Sequence, residues 1–369
     1  MALFKKKVKN EEDYYLASQW SLMGKKLMKH RLAKISIFLL GFLYFVALFA
    51  NFIAPYDLVS YDSKTMNMQP TKIHMFHEGD FKGPFVYGIK MERDPETKRK
   101  VYTEDTSEIY KVKLFVQGSK YKLFGLFETD IHLFGTEAGG KIYLFGADSM
   151  GRDLFSRMLI GSQISLTIPF VGTAISFLLG ILLGGISGYF GGLIDNVIQR
   201  IIEMLSSLPT IPLWMALSAA IPANISTIQV YLYITIILSF ISWTGLARVV
   251  RGKFISLRNE DYIMAARLAG VSDIKIIWKH MVPGFMSYLI VNLTLGIPSM
   301  IIGETSMSFL GLGIRSPATS WGVLLEETKT ITSIAIYPWR LIPLFAVIIT
   351  VLAFNFLGDG LRDAADPYK

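Results

Sequence analysis

The chain has no cysteine among its 369 residues, so disulfide bonds, thiolate metal sites and thiol nucleophiles are all excluded. It also lacks the Gly-x-x-x-x-Gly-Lys-Ser/Thr motif of phosphate-binding loops, and it therefore does not bind and split ATP by that route. Of its five histidines, only His74 and His77 stand at metal-ligand spacing from each other. No catalytic constellation is present, and we expect neither an enzyme nor a resident cofactor or metal.

Charge is also scarce, at 18% of residues, whereas 52% are hydrophobic and the mean hydropathy is +0.42. These values are too apolar for a soluble domain of this size. A membrane-spanning helix needs about 20 apolar residues. Runs of that kind predict six spans, at residues 35–54, 164–190, 201–222, 228–247, 285–303 and 341–358. Pro209 and Pro212 break the third span, Pro222 and Asn224 mark the turn after it, and five glycines in the second span predict close helix packing.

The net charge of +8 comes from basic residues that flank the predicted spans, and their positions indicate membrane topology rather than nucleic acid binding. Nine basic residues precede the first span, among them Lys5, Lys6, Lys7, Lys25, Lys26, Lys29, Arg31 and Lys34. Seven more lie between Arg248 and Lys279, whereas the turn at residues 222–227 has no charge. By the positive-inside rule, we expect a multi-pass protein of the cell (inner or plasma) membrane with both termini and the 248–284 loop in the cytoplasm.

This pattern divides the chain into five parts. Residues 1–34 form a basic cytoplasmic arm, and residues 35–54 form the first span. Residues 55–147 are polar and form an extracytoplasmic, β-rich insert. Within it, alternation over residues 111–116, a Gln-Gly-Ser turn and the segment from Tyr121 predict a hairpin. Residues 148–358 form a core of five spans with the cytoplasmic loop 248–284, and residues 359–369 form a cytoplasmic tail.

Carboxylates near the membrane interior are limited to Glu203 and Glu304. Each lies near the end of a predicted span, where it can reach polar surroundings. A role at an interface and a role as an ion site both stay open. A carrier coupled to protons or sodium generally needs such buried groups, so energy for any transport is expected to come from another subunit.

The most informative segment is residues 258–283, which we call the elbow. Tyr262, Ala265, Ala266 and Ala269 recur at helical spacing, and Gly270 is placed as a C-cap. A second apolar face begins with the set Ile274, Ile277 and Trp278, and Pro283 is expected to stop it. The pattern alone allows two interpretations, in which the elbow binds a partner protein or lies on lipid headgroups.

The elbow resembles the coupling loop, or "EAA" motif, of permease subunits of bacterial ABC importers. Ala265, Ala266, Gly270 and Pro283 keep the family spacing. Met264 occupies the position of the family glutamate, which removes any salt bridge that the glutamate would make to an ATPase.

Three further stretches narrow the resemblance to the dipeptide/oligopeptide branch and to its second (C-type) permease subunit. They are Gly146-Ala-Asp-Ser-Met-Gly-Arg-Asp153 with Ser156-Arg157, Ser308-Phe-Leu-Gly-Leu-Gly313 with Ser320-Trp-Gly322, and Asn355-Phe-Leu-Gly-Asp-Gly-Leu-Arg-Asp363 with Asp366-Pro367. The end of the first span, Ala54-Pro-Tyr-Asp57, is also typical of this branch.

The resemblance implies an all-α membrane protein with the six-helix, type I ABC importer transmembrane fold, here carrying the extracytoplasmic insert. It implies a homologous second permease subunit, two cytoplasmic ATPase subunits that bind ATP and Mg²⁺, and an extracytoplasmic solute-binding protein. Met264, Ala265, Ala266, Gly270 and Pro283 would couple the chain to the ATPases. Peptides are the expected substrate, with nickel and oligosaccharides as alternatives. A membrane-anchored binding or scaffold protein that works through its insert is a second candidate function.

Overall fold

The computed structural model describes residues 19–222, 225–315 and 317–365. Part of the predicted basic arm, Asn224 of the predicted turn and the Asp366-Pro367 motif lie outside these residues. The described chain is a bundle of long helices, with a four-stranded sheet between the first and second of them. The prediction of a helical membrane protein with a β-rich insert is confirmed.

The helices begin and end as follows: α1 Gln19–Lys29, α2 Arg31–Leu48, α3 Ala50–Ile53, α4 Leu154–Phe190, α5 Gly192–Ser207, α6 Thr210–Ala219, α7 Thr227–Leu257, α8 Asp261–Leu268, α9 Asp273–Lys275, α10 Met286–Phe309, α11 Trp321–Leu325, α12 Ile331–Ile336 and α13 Ile342–Ala365. The strands are β1 His74–His77, β2 Asp80–Arg93, β3 Lys100–Leu123 and β4 Phe127–Thr136. Helices α7 and α13 extend further than predicted, so residues 248–257 of the expected loop and residues 359–365 of the expected tail are helical.

Five helical segments are long and apolar enough to cross a membrane, and the pair α5 and α6 forms a sixth if it is counted as one span. This pair contains most of the predicted third span, and it is bent by 92° at the break before Pro209, where the prolines predicted an interruption. Proline lacks the N–H that a helix interior needs, and the residue before it avoids the helical region, so the helix ends at Ser207 and restarts.

The packing of α4 against α7 shows that the bent pair carries the chain from one end of the bundle to the other. Gly172 lies against Ser239, Gly184 against Ala247 and Gly188 against Arg251, so residue numbers rise together along both helices. Two parallel helices require the chain between them to return across the bundle, and only α5 and α6 lie between α4 and α7 among the described residues. The described part of the chain therefore passes from one end of the bundle to the other six times.

Gly180, Gly184 and Gly188 of α4, spaced four residues apart, allow this close approach, as the glycine content of this span predicted. A Cβ atom on Gly184 would lie 2.4 Å from the carbonyl oxygen of Ala247, which is backbone and cannot move aside. We expect Gly184→Ala to lower the free energy of unfolding, because overpacking costs about 1–3 kcal/mol. Thermal unfolding of the purified full-length chain in detergent measures the loss.

Gly252→Ala is the matched control for this prediction, because no atom lies within 4 Å of a Cβ at Gly252 on α7. Alanine is the better helix former by about 1 kcal/mol, so the control is expected to be neutral or stabilising. Equal melting temperatures for the two variants would contradict the close-packing interpretation.

The insert is a meander of antiparallel strands in the order β1-β2-β3-β4. The predicted turn at residues 117–119 is wrong, because β3 continues through it as an irregularity in its pairing with β4. The chain turns instead at Phe124 and Gly125, which both have positive φ.

A buried polar network joins the insert to the bundle. Asp148 accepts hydrogen bonds from Arg157 and from the Nε of Arg152, the latter at 2.7 Å. Glu327 accepts from the backbone N–H and hydroxyl of Ser149 and pairs with Arg340 at 3.1 Å, and Arg340 in turn donates to the side-chain oxygen of Asn67 in the insert. The end of the bundle that carries this network is called the insert end. Nearby, burial raises the pKa of Asp153, the N-cap of α4, to about 7.

The opposite end of the bundle is called the elbow end. Helix α13 starts beside the insert, where Trp339 donates to the carbonyl of Ala147 at 3.3 Å, so its C-terminal part lies at the elbow end. There Gly360 lies close to Leu27 of α1. The described parts of both terminal regions therefore share one end of the bundle with the elbow.

Candidate functional site

The elbow is built from two short helical segments that meet at Gly270. Helix α8 ends at Leu268, and the N–H of Gly270 donates to Arg267 at 2.9 Å while the N–H of Val271 donates to Ala266 at 3.1 Å. These two bonds form a Schellman motif, which requires a left-handed residue at the position of Gly270. Its φ of +74° meets that need without the strain that a side chain would add.

The second segment differs from the prediction that Pro283 stops a helix. After α9 the chain forms a π-helix, Ile276–Met281, then a 3₁₀ turn, Val282–Phe285, and then α10, and Phe285 departs from helical geometry with φ −135° and ψ 27°. Proline is tolerated in the first turn of a helix, since its missing N–H has no partner there. Pro283 is exposed and marks a change of helix type rather than a helix end.

One side of the elbow is packed into the bundle. Ile263, Ile276 and Met281 are fully buried, and Ala266 is nearly so. They share a hydrophobic cluster with residues of α4 and α7, in which the rings of Phe254 and Phe285 meet edge to face at 5.9 Å. The inner side of the elbow is therefore fixed to the ends of two crossing helices.

The other side presents apolar residues to the surroundings. The side chain of Leu268 is 88% exposed and that of Ile274 is 73% exposed. Tyr262, Met264 and Trp278 are also exposed large side chains of the elbow. The predicted grouping of Tyr262, Ala265, Ala266 and Ala269 is wrong in part, because Ala266 alone of these four is buried. Of the predicted coupling residues, Met264, Ala265 and Gly270 are exposed, whereas Ala266 faces the core.

A polar cluster braces the elbow against the end of α4. The hydroxyl of Tyr189 donates to Asp273 at 2.5 Å, and Arg267 donates to the Tyr189 oxygen at 3.1 Å while its guanidinium lies over the ring. Asp195 of α5 accepts two hydrogen bonds of 2.6 Å from Arg251 of α7. Sequence reasoning missed both contacts, because their partners lie far apart along the chain and no local pattern signals them.

A cavity of about 430 Å³ lies among α4, α6, α7 and α10. Its lining contains no charged residue; hydroxyl and amide groups come from Thr173, Ser176, Ser242, Asn292 and Ser299, and rings from Phe177 and Trp214. The indole N–H of Trp214 and the hydroxyl of Thr173 are buried without a hydrogen-bond partner among the described residues.

The two candidate intramembrane carboxylates differ from each other in the structure. Glu203 is exposed on α5 and pairs with Arg200 at 2.9 Å. Glu304 is fully buried and does not reach solvent, but it has a polar partner as expected, because it accepts a hydrogen bond from the hydroxyl of Ser308 at 2.8 Å. The two histidines at metal-ligand spacing make other contacts: His74 contacts Glu104, and His77 contacts Tyr87. The part of the chain that the structure describes holds no group of three metal-ligating side chains.

Comparison with known proteins points to transport. A family model described as "Binding-protein-dependent transport system inner membrane component" matches residues 176–368. A second, "N-terminal TM domain of oligopeptide transport permease C", matches residues 18–70.

Individual relatives agree with these families. The dipeptide transport system permease protein DppC of Bacillus subtilis (strain 168) is 37% identical over 60% of this chain and 68% of its own. The oligopeptide transport system permease protein OppC of Haemophilus influenzae is 41% identical over 61% of this chain and 70% of its own. A solved structure, described as an inward-facing conformation of the MetNI methionine ABC transporter, aligns with 57% of this chain and 96% of its own at a TM-score of 0.45 and 18% identity.

Proposed function

Because this chain belongs to the family of binding-protein-dependent transport system inner membrane components, within its oligopeptide/dipeptide C-type permeases, we propose that it is the transmembrane subunit of an ATP-driven importer of dipeptides or oligopeptides. A homologous second permease subunit would complete the pathway, and an extracytoplasmic solute-binding protein would deliver the substrate. ATP and Mg²⁺ would be bound by two cytoplasmic ATPase subunits. The basic residues of the N-terminal region and the elbow favour a cytoplasmic elbow end.

The observation that carries the coupling role is the two-sided construction of the elbow. Its inner side is packed onto α4 and α7, and its outer side offers Leu268 and Ile274 to a partner. Helix α7 runs without interruption from Ser242, in the cavity wall, to Phe254, which packs against the elbow. A displacement of the elbow therefore moves one wall of the cavity. An ATPase can change the conformation of the bundle through the elbow only if its different nucleotide states bind the outer side of the elbow with different affinities.

The lining of the cavity supports a peptide substrate. Peptide bonds offer both donors and acceptors, which match the hydroxyl and amide groups of the wall, and the rings of Phe177 and Trp214 suit apolar side chains. The printed names of the relatives above refer to dipeptides and oligopeptides. A nickel ion would instead call for imidazole or carboxylate ligands, and the cavity wall has none among its described residues.

Site-directed crosslinking tests the coupling role, and the absence of natural cysteine makes any introduced cysteine unique. Ala265→Cys, on the exposed side of α8, is expected to crosslink to an ATPase subunit in native membranes, with a yield that changes when ATP is added. Ala266→Cys is the matched control, because that position is buried and should not react. The absence of any Ala265→Cys adduct in all nucleotide conditions would refute the proposed docking.

A further inference from the structure

The hairpin formed by β3 and β4 ends in an unusually apolar tip. The turn sequence is Leu123-Phe-Gly-Leu-Phe127, and Leu126 and Phe127 are 76% and 66% exposed. Phe115, further along β3, is exposed as well. The exposure of such an apolar cluster to water is unfavourable, which indicates that another apolar surface covers it.

Contacts with the first crossing helix give the direction of this hairpin. His132 contacts the carbonyl of Ala54, the ring of Phe115 lies 6.3 Å from that of Phe52, and the ring of Phe124 lies 5.4 Å from that of Phe49. Moving from His132 towards the tip, the partner on the helical segment moves back from residue 54 to residue 49. The tip therefore points towards the membrane.

The length of α2 fixes the depth that the tip reaches. Its 18 residues span about 27 Å, which is close to the roughly 30 Å thickness of a bilayer's hydrocarbon core. Phe49 directly follows this helix and so lies at the edge of the hydrocarbon at the insert end. Phe124 is level with Phe49, which places the tip in the zone where acyl chains meet headgroups.

The backbone at the tip runs against local preference. Phe124 has a φ of 54° and Phe115 a φ of 55°, a conformation that bulky residues rarely adopt. Turns with two positive φ values normally take Asn-Gly or Asp-Gly. The two phenylalanines in strained positions are also the two that touch the outer end of the first crossing helix, so the strain serves to place aromatic rings there.

The exposed face of α2 continues into the tip without a polar break. Phe42 and Phe45 are exposed on this helix, and the ring of Phe45 packs against that of Phe49, which in turn contacts Phe124. The charged residues nearest to the tip, Lys122 and Glu128, form an ion pair at 3.7 Å, so their charges neutralise each other. A lipid surface fits this continuous apolar stripe, whereas a charged partner would not.

We propose that the tip of the β3–β4 hairpin is seated in the lipid leaflet at the insert end, with Phe124, Leu126 and Phe127 at the boundary between headgroups and acyl chains. Phenylalanine and leucine side chains are typical of the apolar faces that bury at this boundary. The tip anchors the insert against the bilayer beside α2 through apolar contact, so its seating does not depend on ionic strength. The proposal requires α2 to cross the membrane, but it is independent of what the protein transports.

Depth-dependent quenching of a fluorophore tests the proposal in the full-length chain. Leu126→Cys would be labelled with an environment-sensitive dye and reconstituted into phosphatidylcholine nanodiscs, with or without lipids that carry a nitroxide near the headgroup. Glu96→Cys is the matched control, because it lies in the exposed turn between β2 and β3, at the opposite end of β3. We expect blue-shifted emission and strong quenching at position 126, and neither at position 96, with no change in high salt.

Two results would overturn the proposal. Equal, weak quenching at both positions would show that the tip stays in water. Blue-shifted emission at position 126 without quenching by the nitroxide lipids would show that a protein surface covers the tip instead.

Discussion

Replacing Leu268 by aspartate is expected to abolish ATP-driven uptake while the chain stays folded in the membrane. The side chain of Leu268 is 88% exposed at the end of α8, so the folded chain loses no packing when it is changed. In the proposed complex this side chain is covered by an ATPase, and an unpaired carboxylate would then be removed from water. Loss of a central interface contact typically costs about 2 kcal/mol or more, or roughly 30-fold in affinity.

Leu268→Met is the control for this experiment, since it keeps an apolar side chain of similar volume and should retain uptake. Both variants would be compared by transport of a radiolabelled dipeptide into cells and by the amount of chain in the membrane fraction. Normal uptake by Leu268→Asp at normal abundance would show that the exposed side of the elbow does not transmit the work of ATP hydrolysis.

Much of the bundle could be predicted from the sequence because lipid imposes simple rules on it. Uncharged runs long enough to cross a bilayer identified the crossing helices, and the five glycines of the second predicted span predicted the close packing of α4. Gly270 was identified as a helix end because few residues other than glycine adopt its backbone conformation. These signals are local, so no knowledge of the tertiary structure was needed to read them.

The errors share a physical cause, which is that the outcome depended on contacts distant in sequence. Gln117-Gly-Ser resembles a hairpin turn, yet pairing with β4 on both sides keeps β3 extended through it. Ala265 and Ala266 occupy similar positions in the pattern, and only packing against α4 and α7 decides that Ala266 is inside. The brace between Tyr189 and Asp273 joins residues 84 positions apart.

The bend between α5 and α6 illustrates a limit of hydropathy. Pro209 and Pro212 predicted an interruption, but they did not predict an angle of 92°. The angle follows from where the two halves pack: Ile202 and Leu205 of α5 join a cluster with Trp243 of α7, whereas Trp214 of α6 lies against Gly303 of α10. The bend brings Trp214 into the wall of the cavity.

Replacing Asp148 by alanine is expected to cause the largest loss of stability of any change proposed for this chain. Asp148 is buried and accepts hydrogen bonds from the backbone N–H groups of Met150 and Arg152, at 2.9 Å each, as well as from two guanidinium groups. Its removal leaves the nearly buried Arg157 without a counter-charge. Breaking a buried pair in this way costs about 3–5 kcal/mol. Thermal unfolding of the full-length chain in detergent measures the effect.

An exposed ion pair in the same chain supplies the control. Glu203 and Arg200 are both largely exposed, so Glu203→Ala should cost less than about 1 kcal/mol. A double variant, Asp148→Leu with Arg157→Met, removes both buried charges and should recover part of the stability that Asp148→Ala loses. If the double variant is less stable than Asp148→Ala, the cost does not come from the orphaned guanidinium, and the hydrogen bonds to the backbone of the Gly146–Asp153 segment would be the main contribution of Asp148.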